Sequence, residues 1–411
     1  MQTALGHLTF CSNIFPGESW EDHFKSLREY VPAIKNEVAP QQPFGIGLRL
    51  AHQASVALHE PGTLSAFRSW LSENDCYVFT MNGFPYGNFH HTRVKDQVHA
   101  PDWTTIERTQ YTLRLTRILA GLLPEGHEGS VSTSPLSYKP WFNSDPHKLA
   151  TVTEEATRNI IAVISELYQL HRSGGKMIHL NIEPEADGLL ESWQEFRDWF
   201  NNHLLVQGAA SLRKRFSIPV SQAEDIIRDH LRLCYDVCHF AVGFENMDHV
   251  LRELTASGIR IGKWQLSAAL KVRFSGKEHE DERRLSQIGN FDEPVYLHQV
   301  VSKTTGDLNR FTDLPEALKT AMPGVGQEWR SHFHVPLFLT SYGLLQSTQG
   351  EVIDALRFQA AHHYANHLEV ETYTWDVLPD DLRLPVAQSV SRELKWVLDQ
   401  IEQNQKTKQH A

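Results

Sequence analysis

The stretch Met177-Ile178-His179-Leu180-Asn181-Ile182-Glu183 alternates without a break. His179, Asn181 and Glu183 fall on one side of an extended chain, and Ile178, Leu180 and Ile182 on the other. Strand side chains point to opposite faces with a period of two, so the segment predicts a strand with one apolar and one polar face. Residues 259–267 repeat the pattern, with Lys263, Gln265 and Ser267 opposing Trp264 and Leu266. Residues 368–375 repeat it again, with Glu369 and Glu371 opposing Leu368 and Val370. In a closed barrel the apolar row meets the surrounding helices and the other row points inward.

Outward from these three segments, further strands are expected at residues 7–13, 44–50, 76–82, 129–134 and 231–236. Helix-period segments separate them, at 20–34, 63–71, 104–122, 153–171, 191–205, 223–230 and 248–256. Two more, 351–367 and 387–405, flank the last strand. Eight βα units in series predict an α/β chain closed into a (β/α)8 TIM barrel rather than an open doubly wound sheet. No Gly-x-Gly-x-x-Gly or P-loop fingerprint follows any strand, so the nucleotide signature of the open sheet is missing.

One region breaks the repeat. Residues 268–340, between the seventh and eighth strands, exceed a simple link and hold a charged run (277–284) and two strand-like runs (294–301, 333–339). This insertion is expected on the catalytic rim as a lid. The loops 83–102 and 135–145 are aromatic-rich, through Phe84, Tyr86 and Phe89 and through Tyr138, Trp141 and Phe142. The chain, 1–411, is expected to form a single barrel domain with a frayed polar tail at 403–411.

Fifty acidic against 39 basic residues give a net charge of −11 without a basic block, which argues against nucleic acid as a partner. Cys11, Cys76, Cys234 and Cys238 form no Cys-x-x-Cys pair, and a cytoplasmic location is expected. The start of the chain has no basic-then-apolar leader, and no apolar run is long enough to span a membrane.

Barrel enzymes keep their sites at the carboxyl ends of the strands. There the sequence places Glu183, Asp236, His239 and Glu371, with Gln265 nearby. Carboxylates and imidazoles converging from several strands make a site for a divalent cation such as Mn²⁺, Mg²⁺ or Zn²⁺. The alternative is that each acid pairs with an inward base such as Arg49, Lys263 or Arg330. His298, His332 and His334 in the insertion are candidates to complete the metal shell from above. Glu183, Glu371 and Lys263 are the candidate catalytic groups; Asn13, Arg49, Asn82, His90 and Trp141 are candidates to bind substrate. Cys234 and Cys238 read as buried thiols. His362, His363 and His367 read as a helix C-terminus at the bottom of the barrel. No Gly-x-Ser-x-Gly elbow anchors serine hydrolase chemistry.

Glu-Pro-Glu after the fifth strand, Asp-x-x-His after the sixth and a carboxylate in the eighth resemble the xylose-isomerase-like superfamily, which includes sugar isomerases, epimerases and the endonuclease IV type of repair enzyme. The stretches from Leu8 to Trp20, from Pro43 to Leu50 and from Thr80 to Gly87 are more closely similar to the EboE-type metabolite-traffic proteins. The resemblance implies Glu183, Asp236 and Glu371 as metal ligands, with Gln265 where the seventh strand ordinarily supplies a histidine. His332 and His334 stand where the endonuclease branch supplies ligands. It further implies a polyol, sugar or sugar phosphate as substrate, and partner proteins from the same gene cluster. Three functions follow in order: a metal-dependent isomerase or epimerase, a small-molecule carrier, and, least favoured by the charge, a nuclease.

Overall fold

The computed structural model describes residues 1–87, 95–293, 295–320, 323–375, 378 and 383–409. Eight parallel strands lie side by side in chain order with the eighth beside the first: Gly6–Phe10, Phe44–Arg49, Cys76–Asn82, Gly129–Thr133, Ile178–Ile182, Leu231–Asp236, Ile261–Leu266 and His367–Val370. Between the first and second strands the ladder narrows to a parallel bridge, Cys11 to Gly47. Thr9 reinforces that seam, its hydroxyl donating to the Gly45 carbonyl at 2.8 Å and accepting from the Gly47 amide at 2.9 Å. The chain is thus an α/β barrel, and its Val-, Ile- and Leu-rich outward rows pack on the helices.

Local chemistry starts and stops the helices. Ser19 caps Trp20–Val38 by accepting from the Asp22 amide, and Ser192 with Glu195 forms a capping box before Trp193–Trp199. Gly175, at φ 67°, ends Pro146–Gly174. The expected helix over 351–367 is shorter, Gln349–His362, because His363 turns into the left-handed region at φ 51°. No glycine marks that stop. His367 therefore leaves the helix and opens the eighth strand, buried inside the barrel.

The insertion is a six-stranded antiparallel sheet in the order Leu308–Phe311, Val300–Lys303, Glu328–Val335, Ala268–Arg273, Leu345–Ser347, Ser341–Tyr342. It runs past the expected boundary at 340, since the two-stranded end pairs back onto Ala268–Arg273. The charged run is the helix Glu278–Gly289. Of the tail expected to fray, residues 403–409 continue the helix Val386–Gln409 and residues 410–411 lie outside the described residues.

The barrel interior is polar and layered. In the middle layer the Lys263 ammonium lies 2.6 Å from Glu369, 2.9 Å from Asn82 Oδ1 and 3.0 Å from Ser132 Oγ. Gly47 makes room for this layer, because a Cβ there would lie 1.8 Å from Glu369 Oε1. At the N-terminal end His179 and His367 stack with centroids 5.6 Å apart, and Arg232 pairs with Glu128 at 2.6 Å.

His230, on the barrel wall at this end, donates from Nδ1 to the Ile178 carbonyl at 2.7 Å, and burial pushes its pKa down to about 4. Such a group is neutral when folded and protonated when unfolded. Its contribution is present above about pH 6.5 and lost as pH falls through 4, a loss of about 3 kcal/mol. Urea midpoints between pH 7 and 4 should therefore fall, and His230→Gln should flatten the slope by close to one proton.

Candidate metal centre

The fifth strand ends at Ile182. The Glu183 amide still bonds to the Thr133 carbonyl at 3.0 Å, so its side chain keeps the inward phase before Pro184 diverts the chain. Asp236 ends the sixth strand and caps the helix Val237–Val242: its Oδ1 accepts from the His239 amide at 3.1 Å and from Ser267 Oγ at 2.6 Å. That cap explains the Asp-x-x-His spacing, since the N3 residue of a capped helix sits one turn above the capping carboxylate. Glu371 follows the eighth strand and accepts from Asn13 Nδ2 at 2.7 Å. Oxygens of Glu183, Asp236 and Glu371 lie within 4.8 Å of one another.

His332 and His334 come from the insertion strand Glu328–Val335, where alternate spacing turns both toward the barrel mouth. Each imidazole of the centre is tied through Nδ1 to an oxygen that only accepts. His239 holds the Pro184 carbonyl at 3.0 Å, His332 the Gln299 Oε1 at 2.8 Å and His334 the Glu371 carbonyl at 3.0 Å. The proton is thereby fixed on Nδ1 and the lone pair on Nε2.

The three Nε2 atoms converge. Those of His239 and His332 are 3.1 Å apart, and those of His239 and His334 each lie 3.9 Å from Asp236 Oδ2. Both Asp236 Oδ2 and His334 Nε2 are buried without a hydrogen-bond partner. Two imidazole nitrogens held by one ion at about 2.1 Å, close to a right angle, are about 3 Å apart. Tethered Nδ1 atoms with converging Nε2 atoms are the outer-shell arrangement of metal-binding histidines, so this donor set fits a divalent cation.

Electrostatics point the same way. Burial, then the Asp236 and Glu371 charges, raise the Glu183 carboxyl well above the carboxylate range. Burial with Asp236, Asp187 and Glu371 does the same to Glu185, and burial raises Glu371. Burial and neighbouring imidazoles hold His239 and His332 well below the histidine range. A bound cation offsets the crowding of acids and uses the neutral imidazoles as they stand.

The other candidates take different places. Lys263 and Asn82 are engaged with Glu369 in the layer below, so the expectation that Lys263 steadies charge on a substrate does not match its position. Gln265 is buried beside them, its Nε2 donating to Asn82 Oδ1 at 3.5 Å. Arg49 pairs with Glu18 at 3.1 Å and holds the Pro85 and Gly87 carbonyls, acting as a loop anchor. Trp141 donates to Asp96 at 2.7 Å and braces two rim loops. His298 spends both ring nitrogens, on the His332 carbonyl at 3.0 Å and on Glu293 at 2.8 Å, which leaves no lone pair for a metal. His90 lies outside the described residues. Cys238 lies close to His332 and His334, but burial raises its thiol well above the usual value.

Above the centre is a cavity of about 620 Å³, counted with its open mouth. Glu183, Glu185, Glu371, His239, His332, His334 and Asn13 line its floor. Among the lining groups not singled out in the sequence are Glu185 and His99. Glu185, the second acid of Glu-Pro-Glu, shares a cluster with His239 and His332 and lies 3.5 Å from His99, itself stacked on Tyr138. The motif contained the signal for Glu185; His99 had none.

No family model matches the chain, and no curated protein is significantly similar to it. Solved structures with a similar arrangement include an IOLI protein with a binding zinc atom, at 12% identity and a TM-score of 0.47, covering 97% of this chain and 99% of that one. D-psicose 3-epimerase in the presence of D-fructose has 12% identity and a TM-score of 0.46 over 96% and 99% of the two chains. A xylose isomerase domain protein from Alicyclobacillus acidocaldarius has 10% identity and a TM-score of 0.45 over 97% and 99%. The likeness is one of architecture. Among the described residues no helix is long and apolar enough to cross a membrane.

Proposed function

We propose that the chain is a divalent-metal-dependent isomerase or epimerase of a sugar-like polyol. The observation that carries this reading is the convergence of three Nδ1-tethered imidazoles with Asp236 Oδ2, beside two further carboxylates. Asp236, His239, His332 and His334, with Glu183 and Glu371, would be the groups available to hold the ion. When bound, it supplies Lewis acidity toward neighbouring carbonyl and hydroxyl oxygens of the ligand. Glu183 and Glu371 each carry a second oxygen that can take a carbon-bound proton or return it. Asn13 orients Glu371.

We read the EboE-type stretches as placing this reaction in a cytoplasmic metabolite-traffic pathway, with partners encoded in the same gene cluster. A carrier without catalysis is the second reading, favoured by Gln265 at the position where the superfamily has a metal-binding histidine. Elemental analysis, followed by incubation of the loaded protein in D₂O with ketoses, both free and bearing an uncharged aryl or alkyl substituent, tests both. About one equivalent of divalent metal and EDTA-sensitive deuterium entry at carbon are expected. Bound polyol without exchange supports the carrier, and failure to take up any divalent metal ends the isomerase reading.

A further inference from the structure

Five largely apolar side chains from three separate segments share the cavity lining with the carboxylates: Phe84 and Val98 from the loop after the third strand, Tyr296 and Leu297 from the insertion, and Tyr373 after the eighth strand. All are half-buried, and none belongs to the apolar core that joins barrel and helices. Their rings are held in place: Tyr373 stacks on His334 at 4.7 Å between centroids, and Tyr296 lies against Tyr373 at 5.9 Å. Side chains that the core does not use, gathered in the lining of a concave site, are a surface for an apolar ligand group.

The charges in the lining point to an uncharged group. Glu183, Glu185 and Glu371 contribute three acids, and the Lys95 ammonium at the rim is already paired with Asp313 at 2.6 Å. One divalent cation leaves such a lining with no surplus of positive charge among the described residues. A phosphate ester there would meet carboxylates rather than cations.

We propose that the ligand is an oxygen chelator joined to an uncharged apolar body, a polyol bearing an aryl or alkyl substituent, in preference to a free sugar or a sugar phosphate. This rests on the metal reading, because the chelating end needs the ion. Three hydroxamates with one head group and different bodies test it by calorimetry on zinc-loaded protein. Benzohydroxamate should bind roughly 10- to 100-fold more tightly than acetohydroxamate, as expected for burying a ring. Phosphonoacetohydroxamate should bind no more tightly than acetohydroxamate. Tyr296→Ala should remove most of the benzohydroxamate advantage while zinc content and acetohydroxamate affinity stay unchanged. Equal affinities, or the phosphonate binding most tightly, would overturn the proposal with the metal reading intact. Zinc titration without any hydroxamate checks that reading separately, and its failure removes both.

Discussion

Asp236→Asn should fold as well as the natural chain and lose divalent-metal affinity by at least about 100-fold. Asp236 divides its two oxygens between two tasks. Oδ1 is structural, accepting from the His239 amide and from Ser267. Oδ2 is buried with no hydrogen-bond partner and faces the Nε2 atoms of His239 and His334 at 3.9 Å each. An asparagine keeps the first task through its carbonyl oxygen and fails the second. Its amide would donate to an imidazole lone pair and occupy the direction an ion needs. Removing one of several crowded acids also relieves repulsion with Glu183 and Glu371, so the metal-free variant should melt at or above the temperature of the metal-free parent. Metal content by elemental analysis, zinc titration and melting with and without EDTA measure all three effects. A variant that retains a full equivalent of metal would remove Asp236 from the centre.

The same residues show how much of the molecule was legible in the sequence. The period of two in Met177 to Glu183 and in two later segments identified the inward row, and eight βα units in order were enough for a closed barrel. Asp236 and His239 were legible because a strand-ending aspartate that caps a helix fixes the residue three positions on. Height along the barrel axis was not legible. Lys263 and Gln265 share one face, as do Glu369 and Glu371, yet two residues are about 6.6 Å of rise, enough to move a side chain from the cavity floor to the sealed layer below it. Asn82 was placed a layer too high for that reason. Glu185 escaped because Pro184 breaks the alternation, and a period-two argument stops where the strand stops. Trp141 and Arg49 have the composition of ligand contacts, but only the tertiary arrangement shows their polar atoms spent on Asp96, on Glu18 and on backbone carbonyls.

The sealed layer gives the second large effect. Lys263→Met should cost about 3–5 kcal/mol of stability at neutral pH, because it leaves a carboxylate buried without its cation. Lys263 and Glu369 are both fully buried with side chains 2.6 Å apart. Burial alone would lower the lysine pKa, yet Glu369 outweighs it and holds the ammonium above its ordinary range. Asn82 donates to both Glu369 oxygens at 3.0 Å and accepts from Lys263 at 2.9 Å, so the pair is fully hydrogen-bonded as well as paired. Replacing both members, as Lys263→Met with Glu369→Gln, removes the stranded charge, and the double variant should recover more than half of the loss. Urea unfolding of the two single variants and the double variant gives the coupling directly. A single variant costing under 1 kcal/mol would mean that Lys263 is not a strut.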